Sequence, residues 1–66
     1  MIAFLTAAQI EALGTAIQEA RKGRGIHQVC LSDGEVFAYQ FNDEVHWHVN
    51  NAQAARVAKG TVPLQI

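Results

Sequence analysis

Cysteine and proline each occur once in this 66-residue chain, and charged residues make up only 17% of it. A single Cys30 cannot close an internal disulfide, which excludes a disulfide-stapled scaffold and suits a reducing cytosol. No apolar run approaches the length of a membrane-spanning helix. The start, Met1-Ile2-Ala3-Phe4-Leu5, has no charged region ahead of its apolar residues, so no secretory signal is expected. The net charge of −1 supplies no basic surplus for neutralising phosphates, which argues against general nucleic-acid binding. Missing too are paired metal-ligand motifs such as CxxC or HxxxH, and any Ser/Cys-His-Asp arrangement. These absences lead to the expectation of a soluble cytoplasmic protein, non-enzymatic and without a cofactor.

What is there is apolar: half the residues, in a chain near the lower size limit for a core without staples. With so little charge, either the outer faces are unusually neutral or apolar surface is shared with a partner. The second option leaves room for a homodimer or for a complex with another protein. The chain is read as a single domain, residues 1–66.

Thr6-Ala7-Ala8-Gln9 fits a capping box, in which the threonine hydroxyl accepts from the N3 amide while the glutamine reaches back. Leu5 and Ile10 flank it at hydrophobic-staple positions. Ile10, Leu13, Ile17 and Ala20 recur at helical spacing and form the expected apolar stripe. Arg21 and Lys22 oppose the dipole in the last turn, and Gly23 suits the left-handed position beyond it. A helix is therefore expected over about residues 7 to 22.

Three runs rich in β-branched and aromatic residues follow, at about 26–31, 36–41 and 45–49. Phe37, Tyr39 and Phe41 share one side of their strand, and Val45, Trp47 and Val49 one side of theirs. Both sets meet on one face only if the connection holds an odd number of residues. A three-residue loop, Asn42-Asp43-Glu44, would pair Phe41 with Val45, Tyr39 with Trp47 and Phe37 with Val49 as a core seam. In the first hairpin, Asp33-Gly34 favours a two-residue turn that sets Ile26, Gln28 and Cys30 on the aromatic face. A three-residue turn would set His27, Val29 and Leu31 there. Turn chemistry and hydrophobicity disagree at this point, and the more apolar set is preferred.

Asn50 and Asn51 are N-cap candidates for a second helix over Ala52 to Lys59, closed by Gly60. Thr61 to Ile66 reads as an extended segment, confined by Pro63 to an edge strand or a docked tail. The expected fold class is α+β in the order α-β-β-β-α: a three-stranded antiparallel meander packed against helices, with a C-terminal extended segment. That order is similar to the double-stranded-RNA-binding domains. The resemblance is topological only, because Asn50-Asn51-Ala52-Gln53-Ala54-Ala55 holds no lysine where those domains grip phosphates.

Four constellations carry chemistry. His46 and His48 project from one side of a strand, and two such imidazoles make half of a zinc or copper site, with Cys30 or Glu44 as further ligands. The plainer reading, a solvent face of an amphipathic strand, is preferred, so no metal is expected. The same pair would repel when both are protonated, loosening any interface that buries them. Cys30 as a nucleophile would need His27, His46 or His48 as base; a packed, inert thiol is expected instead. Lastly, Arg21, Lys22 and Arg24 could join Arg56 and Lys59 in a patch for phosphate or an acidic protein surface.

The function expected from these features is a small protein-binding module acting by occupancy, as an inhibitor or adaptor. Phage and mobile elements encode such domains, anti-CRISPR proteins and antitoxins among them. The candidate contacts are Gln40, His46 and His48 on an exposed strand face together with Arg21, Lys22, Arg24, Arg56 and Lys59. Nucleic-acid binding through the basic residues and metal binding through His46 and His48 are the alternatives.

Overall fold

A computed structural model describes residues 4–23 and 25–64. They form one helix, α1 (Ala7–Arg21), and four strands, β1 (His27–Leu31), β2 (Gly34–Phe41), β3 (Glu44–Asn51) and β4 (Arg56–Pro63). The strands make one antiparallel sheet in the order β1-β2-β3-β4. The helix lies across β1, β2 and β3 on one face of it. The class is α+β, in the order α-β-β-β-β.

Local chemistry sets the helix ends. The Gln9 amide donates to Thr6 Oγ1 at 3.2 Å and the Thr6 amide to Gln9 Oε1 at 3.0 Å, the reciprocal capping box. Gly23 follows the C-cap with φ +81° and donates its amide to the Ala20 carbonyl. The buried stripe, however, is Gln9, Ala12, Ala16 and Ala20, while Ile10 is 55% exposed. Of the expected stripe of Ile10, Leu13, Ile17 and Ala20, only Ala20 is fully buried, and Leu13 and Ile17 lie half-buried on the flank. Three alanines let the helix approach closely to Val36, Ala38, Val45 and Val49, all fully buried on the facing side of the sheet. Each of those valines contributes roughly 1.5–3 kcal/mol over an exposed one.

Gln9 also fixes the helix rotation. Its Nε2 donates to the Asp33 carbonyl (3.0 Å), and its Oε1 accepts from Asn51 Nδ2 (2.9 Å) as well as from Thr6. Asn51 further donates to the Phe4 carbonyl and accepts from the Ala54 amide. The Thr6 hydroxyl donates to Asp33 Oδ2. Every polar group of these two buried amides has a partner, as burial demands.

The second helix expected over Ala52 to Lys59 does not form. Ala52 to Ala55 is a turn, with Ala55 at φ +52°, and Arg56 onward is strand. Asn51 does cap its neighbours, but the carbonyl it offers to Ala54 closes a turn instead of opening a helix. Eight residues are too few to hold a helix by alanine propensity alone. Arg56 to Lys59 instead open β4, which pairs with β3 over its whole length and buries Ala58 beside Val49. The sheet is therefore four-stranded, not a three-stranded meander. Of the expected C-terminal extended segment, Thr61 to Pro63 are the end of β4, where Pro63 sits on an edge strand as expected, and Gln65 and Ile66 lie outside the described residues.

Both hairpins differ from expectation. Phe41 pairs with Glu44, leaving a two-residue turn, Asn42-Asp43, at φ +53° and +61°. Both residues tolerate the left-handed region, and such a turn matches the twist of the strands. Phe37, Tyr39 and Phe41 therefore pair with His48, His46 and Glu44, not with Val49, Trp47 and Val45. The aromatic core seam does not exist; Val45 and Val49 face the helix and the β2 aromatics face away. In the first hairpin Leu31 pairs with Gly34, so the two turn residues are Ser32-Asp33. Val29 and Leu31 pack toward the helix, and Gln28 and Cys30 share the side of Phe37. Trp47 packs against the core and extends it over Gly60 of β4, where an added Cβ would lie 2.8 Å from the indole.

Two glycines separate backbone strain from propensity. Gly34 has φ +155°, and a Cβ there would lie 2.0 Å from the Asn50 carbonyl oxygen, whereas nothing lies within 4 Å of one at Gly14. Gly34→Ala is expected to cost about 3 kcal/mol. Gly14→Ala should stabilise by about 1 kcal/mol. Urea denaturation of the two variants checks both signs.

Candidate binding face

Antiparallel pairing aligns side chains across the sheet in rows, and the face away from the helix carries a distinctive set. One row runs Gln28, Phe37, His48, Lys59; the next runs Tyr39, His46, Thr61; the last runs Phe41, Glu44, Pro63. Phe37 stacks on His48 with centroids 4.6 Å apart and planes 17° from parallel. Tyr39 stacks on His46 at 5.4 Å and 14°, and Phe41 meets the same imidazole edge-on at 5.7 Å. The middle of the face is thus a layer of interleaved aromatic and imidazole rings. Tyr39, Phe41 and Val57 are 39%, 58% and 57% exposed.

Charge lies around this layer rather than within it. Glu35 accepts a hydrogen bond from Gln28 Nε2 (2.9 Å), and Glu44 Oε1 stands 3.7 Å from His46 Nε2. Lys59 pairs across the strands with His48. Beside the rings a shallow depression of about 430 Å³ is lined by Tyr39, His46 and His48 and by Val57, Lys59 and Thr61, with Trp47 and Gly60. His46 Nε2 is buried and has no hydrogen-bond partner among the described residues.

Of the residues singled out in the sequence, His46, His48 and Lys59 come together here. Gln40 does not: the two-residue turn places it on the helix side, where its Nε2 donates to the Arg21 carbonyl (3.1 Å). The basic patch does not assemble among the described residues. Arg21 reaches the Pro63 carbonyl (3.3 Å) and Lys22 closes on Glu19 (2.7 Å), both at the C-terminal end of α1. The hydrogen bond and charge of Lys22 hold the Glu19 carboxyl below its ordinary value. Arg56 lies over the Phe4 ring (5.7 Å), beyond the other end of the helix, and Arg24 falls outside the described residues.

Cys30 is exposed on the outer face, not packed as expected, because the first hairpin turns it away from the helix. His27 is on the opposite side of the sheet. His48 is two strands away and two residues along, roughly 11–12 Å from the strand spacings, which is beyond proton-transfer reach of the thiol. Among the described residues no three His, Cys, Asp or Glu side chains gather closely enough to hold a metal ion. Nor is any helix there long and apolar enough to cross a membrane.

The residues that sequence reasoning missed are Phe37, Tyr39 and Phe41, assigned to the core by their hydrophobicity. The signal that could have found them is Asn42-Asp43, a pair suited to a two-residue turn. No protein-family model matches the chain, and no similar curated protein or solved structure was found.

Exposed aromatics and buried valines should respond oppositely to truncation. Phe41→Ser is expected to change stability by no more than about 0.5 kcal/mol. Val45→Ala should cost about 2 kcal/mol through lost burial and the cavity left behind. Denaturant midpoints of the pair test which face is the core.

Proposed function

We propose that the protein is a non-enzymatic binding module that acts by occupancy, and that its contact with another protein is the outer face of the sheet. The observation that supports this reading is the ring layer of Phe37, Tyr39, Phe41, His46 and His48, with Glu35, Glu44 and Lys59 around it. Protein interfaces have this anatomy: aromatics at the centre, where charge is depleted, and a polar rim. Backbone extents of 31 × 21 Å make this broad side the right order of size for one half of a standard interface, about 800 Å². The complementary partner surface is apolar and low in charge, with donors or acceptors for the imidazoles.

Stacking of nucleic-acid bases on exposed strand aromatics is the competing use of such a face. Two observations weigh against it. Phe37 and Tyr39 are already stacked on the imidazoles. Among the described residues the face carries Glu35 and Glu44 against a single Lys59, a balance that repels phosphates.

Affinity capture from a lysate of the source organism tests the proposal. The unmodified protein should retain a protein partner that survives nuclease treatment. Phe41→Glu should reduce retention at least tenfold, and Lys22→Glu at the far end of the helix should leave it unchanged. Capture of nothing, nuclease-sensitive capture, or equal retention by Phe41→Glu would overturn the proposal.

A further inference from the structure

β1 is an edge of the sheet, and among the described residues nothing pairs with its outer side. The Ala52 amide donates to the Asp33 carbonyl, which fixes the direction of the β2 backbone groups: those of Glu35 and Phe37 turn to β3, those of Gly34, Val36 and Ala38 to β1. In β1, then, His27, Val29 and Leu31 bond to β2, and the amides and carbonyls of Gln28 and Cys30 point outward. Natural edges are blunted by lysine, proline or inward charge. β4 has such devices, with Arg56 and Lys59 along it and Pro63 at an outward-facing position. β1, His-Gln-Val-Cys-Leu, has none.

A second observation lies beside that edge. A groove of about 310 Å³ runs between α1 and β1, lined by Ala8, Glu11, Ala12, Thr15, Val29 and Leu31. On the helix wall Ala8, Ala12 and Thr15 leave room for the side chains of a strand added to β1, with the exposed Glu11 among them. The added strand must then be apolar on that side and uncharged where it meets Gln28 and Cys30.

We infer that β1 pairs antiparallel with β1 of a second copy, about a twofold axis at Val29, and joins two sheets into one of eight strands. In this register Gln28 bonds with the partner's Cys30, Val29 faces the partner's Val29, and His27 faces the partner's Leu31. The hydrogen-bonded pairs fall on the two residues whose backbone groups point outward. The partner's Val29 and Leu31 enter the groove against Ala8, Ala12 and Thr15, and the same contacts repeat across the axis. No charged residue lies in β1, so self-pairing brings no like charges opposite each other. The same operation on β4, with its axis at Lys59, would set that ammonium against its copy. The contact is isologous and closes at two copies. It leaves the outer ring layer free and does not rest on the proposed function.

Native mass spectrometry and sedimentation of the untagged full chain, up to about 1 mM, test the inference. A species of twice the 7.2 kDa chain mass is expected. Gln28→Pro removes an outward amide that no β2 bond uses, so it should give a folded monomer at concentrations where the unmodified protein is dimeric. Independently, Gln28→Cys places a cysteine at a hydrogen-bonded pair with the partner's Cys30, about 5.5 Å between Cα atoms. Mild oxidation should give a covalent dimer whose peptide map joins residue 28 to the partner's Cys30, and adding Cys30→Ser should abolish it. A monomer at every concentration, a dimer that survives Gln28→Pro, or one dissociated instead by Phe41→Glu would overturn the inference.

Discussion

Asn42 and Asp43 hold left-handed backbone angles and leave no residue to spare between Phe41 and Glu44. Because side chains alternate along a strand, the parity of that connection decides which face each residue of β2 shares with β3. An even loop puts Val36, Ala38, Val45 and Val49 together and sends Phe37, Tyr39 and Phe41 to the other side. Two non-glycine residues in this region cost roughly 1–2 kcal/mol each, less for Asn and Asp, whose short side chains bond locally. Packing offsets that cost. A helix wall of Ala12, Ala16 and Ala20 sits at a distance that valines fill and aromatic rings would not. Small residues on the helix and small residues on the sheet select each other, and the rings are left outside.

The second constraint is polar. Gln9 and Asn51 join the helix N-terminus, the β1–β2 turn and the β3–β4 turn in one buried network. In a low-dielectric interior such a network is worth most when complete, because removing one member leaves the others desolvated and unpaired. It also explains the orientation of α1. Once Gln9 is turned inward to Asp33 and Asn51, the alanines follow at helical spacing and Ile10 must face solvent.

Much of this was legible in the sequence where the determinants are local. Thr6 and Gln9 marked the helix start, Gly23 its end, Pro63 an edge strand, and alternation located β2 and β3. What was not legible depended on distant partners. Ala52 to Lys59 reads as helix by propensity, yet the open side of β3 offered backbone pairing along its whole length. Ile10 reads as core by periodicity, yet its neighbour Gln9, bonded to Asn51 across the fold, takes the inward position. Gln40 was assigned to the outer face, and the β2 rings to the core, by the same error of parity. That His46 and His48 share a face is legible because strand alternation needs only local sequence; Lys59, read as helical, joins them through the pairing of β3 with β4. The dispersal of Arg21, Lys22 and Arg56 could not be foreseen without knowing that the second helix is a strand.

The face assignment is tested most directly by proton NMR of the folded protein, combining inter-ring contacts with a soluble paramagnetic probe. A two-residue turn requires contacts of Phe37 with His48 and of Tyr39 with His46, strong broadening of the Tyr39 and Phe41 rings, and protected Val45 and Val49 methyl groups. Contacts of Tyr39 with Trp47 and of Phe41 with Val45, in rings shielded from the probe, would contradict it and return the aromatics to the core.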